Sequence, residues 1–405
     1  MTERNRLFRG DNLEVLRNHL AGESVDLCYI DPPFHSRRNY RAPGAEAANA
    51  QTPGVRAPGD PALGVQAPGG PAPGVQTPGV QTPANPARGV QASAGPALVV
   101  PASGAPAPEA QAPTDSQAFT DTWRWDETAQ AGFDAILTNA GGRHHEKTVR
   151  LIQGLEPVVG RGSLLAYLVS VAQRVSEIHR VLRPTGSLFL HCDPTASHYL
   201  KLLLDSVFCP RGGGFRNEIV WCYSHGGKSR KWFGRKHDII FYYAKSERCH
   251  FDANAIRVEM RSGTSSFGGK LLAGEDGRKY RLVYGTRNSR GEARYYKYYL
   301  DEGKLPEDWW VDINSLQSSS AERTGYPTQK PEALLDRIIR ACSREGDTVL
   351  DAYCGCGTAL VAAERSGRAW IGIDLAPRAI ALTLERLKSA FGSQVLERTT
   401  ISAPE

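Results

Sequence analysis

VLDAYCGCGTAL, residues 349–360, runs from an apolar strand into an acidic side chain, then two glycines one residue apart, then a helix-forming stretch. Gly355 and Gly357 allow the backbone to turn tightly and approach a ligand before a helix begins near Thr358. A dinucleotide fingerprint would place a third glycine at 360, where Leu360 stands, so that reading loses its main support. The next strand, AWIGID, ends in Asp374 about 20 residues on, where a carboxylate can accept hydrogen bonds from ribose hydroxyls. The same carboxylate can equally cap the helix that starts at Pro377.

Outward from this turn, helices alternate with short apolar strands. Leu334, Leu335, Ile338, Ile339 and Cys342 mark one face of a helix ahead of it. At the other end of the chain, NRLFRGD and SVDLCYID read as buried strands with NLEVLRNHLAG between them as a helix ending at Gly22. Leu168, Val171, Ala172, Val175, Ile178 and Leu182 fall at helical spacing, stop at RPTG and lead into the strand SLFLHCD. The pattern predicts an α/β fold, a doubly wound and mostly parallel sheet assembled from both ends of the chain.

The chain has 405 residues and a formal net charge of +6, enough length for two or three domains or one large domain with insertions. The N-terminus lacks the apolar core of a signal peptide and no run approaches the roughly 18 residues of a membrane span, so a cytoplasmic protein without membrane contact is expected. Eight cysteines include no C-x-x-C pair, and Cys28, Cys192, Cys354 and Cys356 sit in apolar stretches as reduced thiols. Neither a disulfide framework nor a metal site is expected. Residues 41–117 are nearly all Ala, Pro, Gly, Val, Gln and Thr, with repeats such as PGVQTPGVQTP, a composition expected to form a disordered insert.

CYIDPPFHSRRNY, residues 28–40, precedes that insert. Asp31 closes an apolar strand at the carboxyl edge, where open α/β sheets place ligands, and Pro32 and Pro33 fix the backbone and remove its donors. The exposed groups are acceptors, able to take both hydrogens of an exocyclic amine, while Phe34 offers a flat face. In isolation this is an ordinary Pro-Pro strand exit. The stretch GRKYRLVYGTRNSRGEARYYKYYL, residues 277–300, interleaves cations with tyrosines, which suits phosphate neutralisation and base stacking as well as a solvated loop.

DPPF followed at a distance by DAYCGCGT resembles the amino-group DNA methyltransferases, which move the methyl of S-adenosyl-L-methionine to N6 of adenine or N4 of cytosine. DPPF early, a recognition region in the middle and the glycine turn late is the circularly permuted motif order of the β group, on a Rossmann-like core. GDNLEVL (10–16), AFTDTW (118–123), LFLHCDPTASHYLKLLLD (188–205), RNEIVW (216–221) and YPTQKP (326–331) resemble further family segments. The resemblance implies catalytic roles for Asp31, Pro32, Pro33 and Phe34. It implies cofactor contacts for Asp11, Thr328, Gln329, Lys330, Asp351, Tyr353, Gly355, Gly357, Thr358 and Asp374. Tyr353 stands where the family commonly has Phe, and Asp31 in place of a serine favours adenine.

It further implies double-stranded DNA as partner, with a cognate restriction endonuclease and a homodimer as companions. The expected organisation is 1–40 and 118–223 as catalytic parts, 224–325 as target-recognition region, 326–395 as cofactor-binding part and 396–405 as flexible tail. Cytosine-N4 methylation is the alternative activity; an inactive DNA-binding protein or a Pro-rich interaction protein are the others. His191 and Asp193 end a strand on the same edge and are read as structural. His144 and His145 read as an exposed loop, Trp309 and Trp310 as core.

Overall fold

Leu7 and Phe8 of one strand near the N-terminus and Val25–Ile30 of another are buried, so both strands need cover on both faces, and later segments of the chain supply it. The computed structural model describes residues 5–34, 39–41, 117–120, 123–224, 230–259, 271–287 and 289–403. The first half comprises β1 (Asn5–Arg9), α1 (Asn12–Asn18), β2 (Val25–Ile30), β3 (Asn39–Arg41), β4 (Gln117–Thr120), α2 (Glu127–Thr138), α3 (Glu146–Val159), α4 (Ser163–Val181), β5 (Leu182–Cys192) and α5 (Ser197–Phe208). There follow β6 (Gly214–Cys222), β7 (His237–Ala244), β8 (Leu271–Ala273), β9 (Lys279–Tyr284), β10 (Tyr295–Tyr299) and β11 (Trp309–Trp310). The last part holds α6 (Glu332–Cys342), β12 (Thr348–Asp351), α7 (Thr358–Arg365), β13 (Ala369–Asp374), α8 (Pro377–Phe391), α9 (Gln394–Glu397) and β14 (Thr399–Ser402).

The main sheet has nine strands in the order β11-β6-β7-β5-β2-β12-β13-β1-β14. From β5 to β14 all neighbours are parallel, and β7 alone runs against the strands on either side of it. The doubly wound parallel sheet expected from the alternation is therefore present. Although α1 joins β1 to β2, the two strands are not neighbours, because β12 and β13 lie between them.

The period of two along each strand sorts its side chains between two cores. Cys28, Ile30, Leu188, Leu190 and Ile371 face a layer that includes Leu168, Val171, Val175 and Ile178 of α4. Leu27, Tyr29, Phe189 and Val349 face the opposite layer, with Leu334, Leu335, Ile338 and Ile339 of α6. Each such aliphatic side chain contributes roughly 1.5–3 kcal/mol by leaving water.

Polar latches fasten the amino ends of the strands. Asp26 accepts two hydrogen bonds from Arg183 Nη1 at 2.9 and 2.8 Å and one from Thr348 N at 2.9 Å, tying β2 to β5 and β12. Asn5 donates to Glu364 at 2.9 Å and accepts from Trp370 N at 3.2 Å, tying β1 to β13.

Several expectations need correction. Residues 396–405 do not all form a tail: Thr399–Ser402 pair with β1, a run of four too short to read as a strand from sequence. The RPTG segment stops α4 as expected but lies within β5, where the register against β2 shifts between Leu182 and Ser187. His144 is buried against Ser176 rather than exposed, and of the tryptophan pair only Trp310 is buried, Trp309 being half exposed. The chain separates into one unit of residues 1–46 and 113–405 and another of residues 47–112. The predicted insert lies outside the described residues except at its ends, where Arg41 in β3 pairs with Gln117 in β4. No helix among the described residues is long and apolar enough to cross a membrane.

The latch at Asp26 makes a stability prediction. Asp26→Ala leaves the Thr348 amide without its carboxylate and is expected to lower unfolding free energy by about 1–3 kcal/mol in urea titration; a loss below about 0.5 kcal/mol would contradict the role given to it.

Candidate active site

Because β2, β12 and β13 are neighbours and parallel, their carboxyl ends bring three acids to one edge. Asp351 is in register with Tyr29 on one side and Gly372 on the other; Asp31 and Asp374 each lie two residues further along. Burial is the largest influence on Asp351 and pushes its pKa up to about 8. The carboxylates of Asp31 and Asp374 push the same way, while the Tyr353 amide and Lys330 oppose them. Asp374 is raised to about 6, again chiefly by burial, against the amides of Ala376 and Gly355 that favour its ionised form. Those amides donate at 2.9 and 2.8 Å, one from the N-cap residue and one from the glycine turn, and the expected cap of the helix at Pro377 is not formed, since α8 takes no side-chain cap.

Lys330 reaches this edge from the segment before α6. Its buried ammonium forms an ion pair with Asp31 Oδ2 and stands 5.2 Å from the Phe34 ring centroid. The segment is held in an unusual shape. Thr328 has φ +57°, a left-handed conformation that costs a non-glycine residue about 1–3 kcal/mol. Gln329 offsets that strain: its Oε1 accepts from Thr324 N and Oγ1, both at 2.8 Å, and its Nε2 donates to Glu322 O at 2.8 Å.

The glycine turn is equally constrained. Gly355 has φ +51°, and a Cβ there would lie 3.0 Å from the Tyr326 ring; Gly357 has φ +75°, and a Cβ would meet Thr383 at 2.8 Å. Both conformation and space thus require glycine. Thr383 Oγ1 donates to Gly355 O at 3.0 Å and Arg386 donates to Thr358 Oγ1 at 2.7 Å, so α8 braces the turn from outside.

Of the residues singled out from sequence, Asp31, Phe34, Lys330, Asp351, Asp374 and Gly355 belong to one edge. Pro32 is buried and Pro33 half-buried beside Asp31. Others are engaged in scaffolding. Asp11 caps α1 through Leu13 N and Glu14 N at 2.8 and 3.1 Å and takes Arg174 at 2.8 Å on its other oxygen. Tyr353 packs towards the α4 layer, and burial raises the pKa of its phenol.

Sequence reasoning missed a buried polar row. Tyr29 Oη and His191 Nδ1 are 2.8 Å apart, His191 Nε2 and Asp238 Oδ2 3.2 Å, and Tyr223 Oη donates to Asp238 Oδ1 at 3.1 Å. A neutral ring that donates Nε2–H to the carboxylate accepts from the Tyr29 hydroxyl at Nδ1. The His191 ring lies 6.0 Å from the Phe34 ring, forming a wall behind it. The signal was present in β5: His191 shares the parity of Phe189 and therefore the face of Tyr29.

The raised pKa of Asp351 ties stability to pH. Against an ordinary value of 3.8, a folded value of about 8 means the folded protein holds an extra proton between the two. The stabilisation it gives is complete below the lower value and lost as pH rises through the upper. Asp351→Asn is expected to flatten the decline in Tm between about pH 4 and 8 relative to the unaltered chain; parallel Tm curves would overturn the assignment.

The DNA methylase family model for N6 and N4 enzymes matches residues 159–385. The chain is 29% identical over 226 residues to the type II methyltransferase M.HpaI of Haemophilus parainfluenzae, covering 56% of this chain and 60% of that one. It is 30% identical over 218 residues to the DNA adenine methyltransferase YhdJ of Escherichia coli (strain K12), covering 53% and 65%. A shorter match, 38% over 113 residues, joins it to the type II methyltransferase M2.DpnII of Streptococcus pneumoniae, covering 27% and 41%. The chain thus spans less than two thirds of the length of each of these relatives. With more than half of its residues matched by the family model, the chain belongs to the N6/N4 DNA methylase family.

Proposed function

We propose that this protein is a site-specific DNA methyltransferase that transfers a methyl group from S-adenosyl-L-methionine to the exocyclic N6 of an adenine flipped out of duplex DNA. The observation that carries the reading is the edge itself, where Asp31, oriented by Lys330 and adjoined by Phe34, stands next to the buried acids Asp351 and Asp374.

That acidic edge fits a cationic cofactor. Burial and the neighbouring carboxylates strain the ionised form of Asp351, and a positive ligand would relieve it. Asp351, Asp374 and the turn from Gly355 to Thr358 would hold the group, with Lys330 and its segment alongside. When bound, S-adenosyl-L-methionine supplies an electrophilic methyl on a sulfonium. The chain's own residues do the rest by alignment and electrostatics. The Asp31 carboxylate and the Pro32 carbonyl accept the two amine hydrogens, which draws the nitrogen lone pair out of conjugation. Asp31 also compensates the positive charge that develops on that nitrogen. Phe34 stacks on the extruded base, whose flipping costs a few kcal/mol.

A DNA partner is supported by the middle of the chain. The small sheet β8–β9–β10 has no buried side chain on either face, and a free-standing sheet of this size is marginal without a partner. Tyr284 and Tyr295 are exposed with ring centroids 4.9 Å apart, and Lys297 and Arg278 lie 5.0 and 4.0 Å over the Tyr280 and Tyr299 rings. Such interleaving suits phosphates and base faces. Residues 224–325 are accordingly proposed as the target-recognition region. Adenine is favoured over cytosine by Asp31 at the strand end and by similarity to an enzyme named as an adenine methyltransferase. Cytosine-N4 methylation on the same scaffold is the alternative. The type II names of the other relatives support a companion restriction endonuclease.

Single-molecule sequencing of DNA from a host expressing the protein is expected to show N6-methyladenine in one sequence context, whereas N4-methylcytosine would select the alternative. Asp31→Ala is expected to retain cofactor binding, measured by calorimetry, and to lose about 10²-fold or more in methylation rate. Near-normal turnover would overturn the role of Asp31.

A further inference from the structure

The connection between β6 and β7 leaves the sheet at the same edge as Asp31. β5 and β6 both run against β7, so the carboxyl end of β6 at Cys222 points the same way as that of β5 at Cys192. The base of the connection is tied down: Tyr223 N donates to Lys236 O at 3.0 Å and Lys236 Nζ to Ser224 O at 2.9 Å. Tyr223 Oη also donates to Asp238, which holds His191 behind Phe34.

Residues 230–236 of this connection read RKWFGRK, two aromatic side chains among four cations with no acid. Trp232 is 68% exposed and Phe233 is 98% exposed. A single exposed apolar side chain needs no explanation, but a tandem aromatic pair flanked in sequence by cations, on the sheet edge that carries Asp31, matches two features of DNA together. The cations suit the phosphates on either side, and a bare ring suits the gap between base pairs, where apolar side chains act as wedges.

We propose that Phe233, with Trp232 beside it, inserts into the base stack at the target and fills the space the extruded base leaves, while Arg230, Lys231, Arg235 and Lys236 draw the flanking phosphates against the loop. The proposal rests on the methyltransferase reading above and adds to it the element that keeps the base out of the helix. Asp31 and Phe34 act on a base already extruded; Phe233 acts on the duplex it came from.

The test uses the full chain, labelled S-adenosyl-L-methionine and two duplexes carrying the motif read from the expressing host. In one the target base is paired and in the other it faces an abasic site. Phe233→Ala is expected to slow single-turnover methylation of the paired duplex by about tenfold or more and that of the abasic duplex by less than about twofold, because the second is already unstacked. Phe233→Leu should restore most of the rate on the paired duplex, since any apolar wedge serves. Equal slowing on both duplexes, or none on either, would overturn the wedge. A changed sedimentation coefficient in Phe233→Ala with the ratio of rates unchanged would also overturn it and assign the loop to contact between copies of the chain. If the unaltered chain methylates neither duplex, the functional reading fails first and the wedge with it, an outcome separate from any difference between variants.

Discussion

The ion pair between Lys330 and Asp31 joins residues 299 positions apart and sets the character of the whole edge. Three strand-end acids converge there because β2, β12 and β13 are parallel neighbours, and buried carboxylates resist ionisation unless a cation stands near. Lys330 provides that cation directly to Asp31 and also favours ionisation of Asp351. Its own position depends on the left-handed Thr328 and on the three hydrogen bonds of Gln329, so strain in one short segment orients the carboxylate on another. The site is pre-organised on rigid strand ends, which suits a reaction whose demands are alignment and charge.

The strand-end places of Asp31, Asp351 and Asp374 were legible in the sequence because each ends an apolar run of strand length, with two prolines after Asp31, the glycine turn beyond Asp351 and a helix start at Pro377 beyond Asp374. The alternation of helices and strands likewise announced a parallel sheet built from both ends. What the one-dimensional pattern does not carry is adjacency. The resemblance places Lys330 with the cofactor segment, and only the folded chain sets it against Asp31. His191 was set aside as structural, although parity along β5 already marked its face; recognising its partners required knowing that β5 lies between β2 and β7. The four residues of β14 lack a pattern of their own and become a strand only because β1 offers an unpaired edge.

The two latches at the amino ends of the strands and the acid cluster at their carboxyl ends divide the sheet into a hydrogen-bonded, stabilising edge and an acidic one. Asp26 and Glu364 are satisfied by several donors each, whereas Asp351 retains an uncompensated burden of burial. Parallel α/β sheets place chemistry at one end for this reason: the strands' common direction gathers their exits, and the opposite edge is free to be optimised for cohesion.

The order of strands also bears on how the chain is made. Among the described strands β1 has β13 and β14 as its neighbours, and Arg6 waits for Ile371 before its first partner in the main sheet exists. At about 5–20 residues per second of synthesis, that interval is roughly 20–70 s, during which α1 can already pack on α4 while the edge of β1 has no sheet partner. Closure of the sheet is therefore a late event, in which a segment made long afterwards captures an early one.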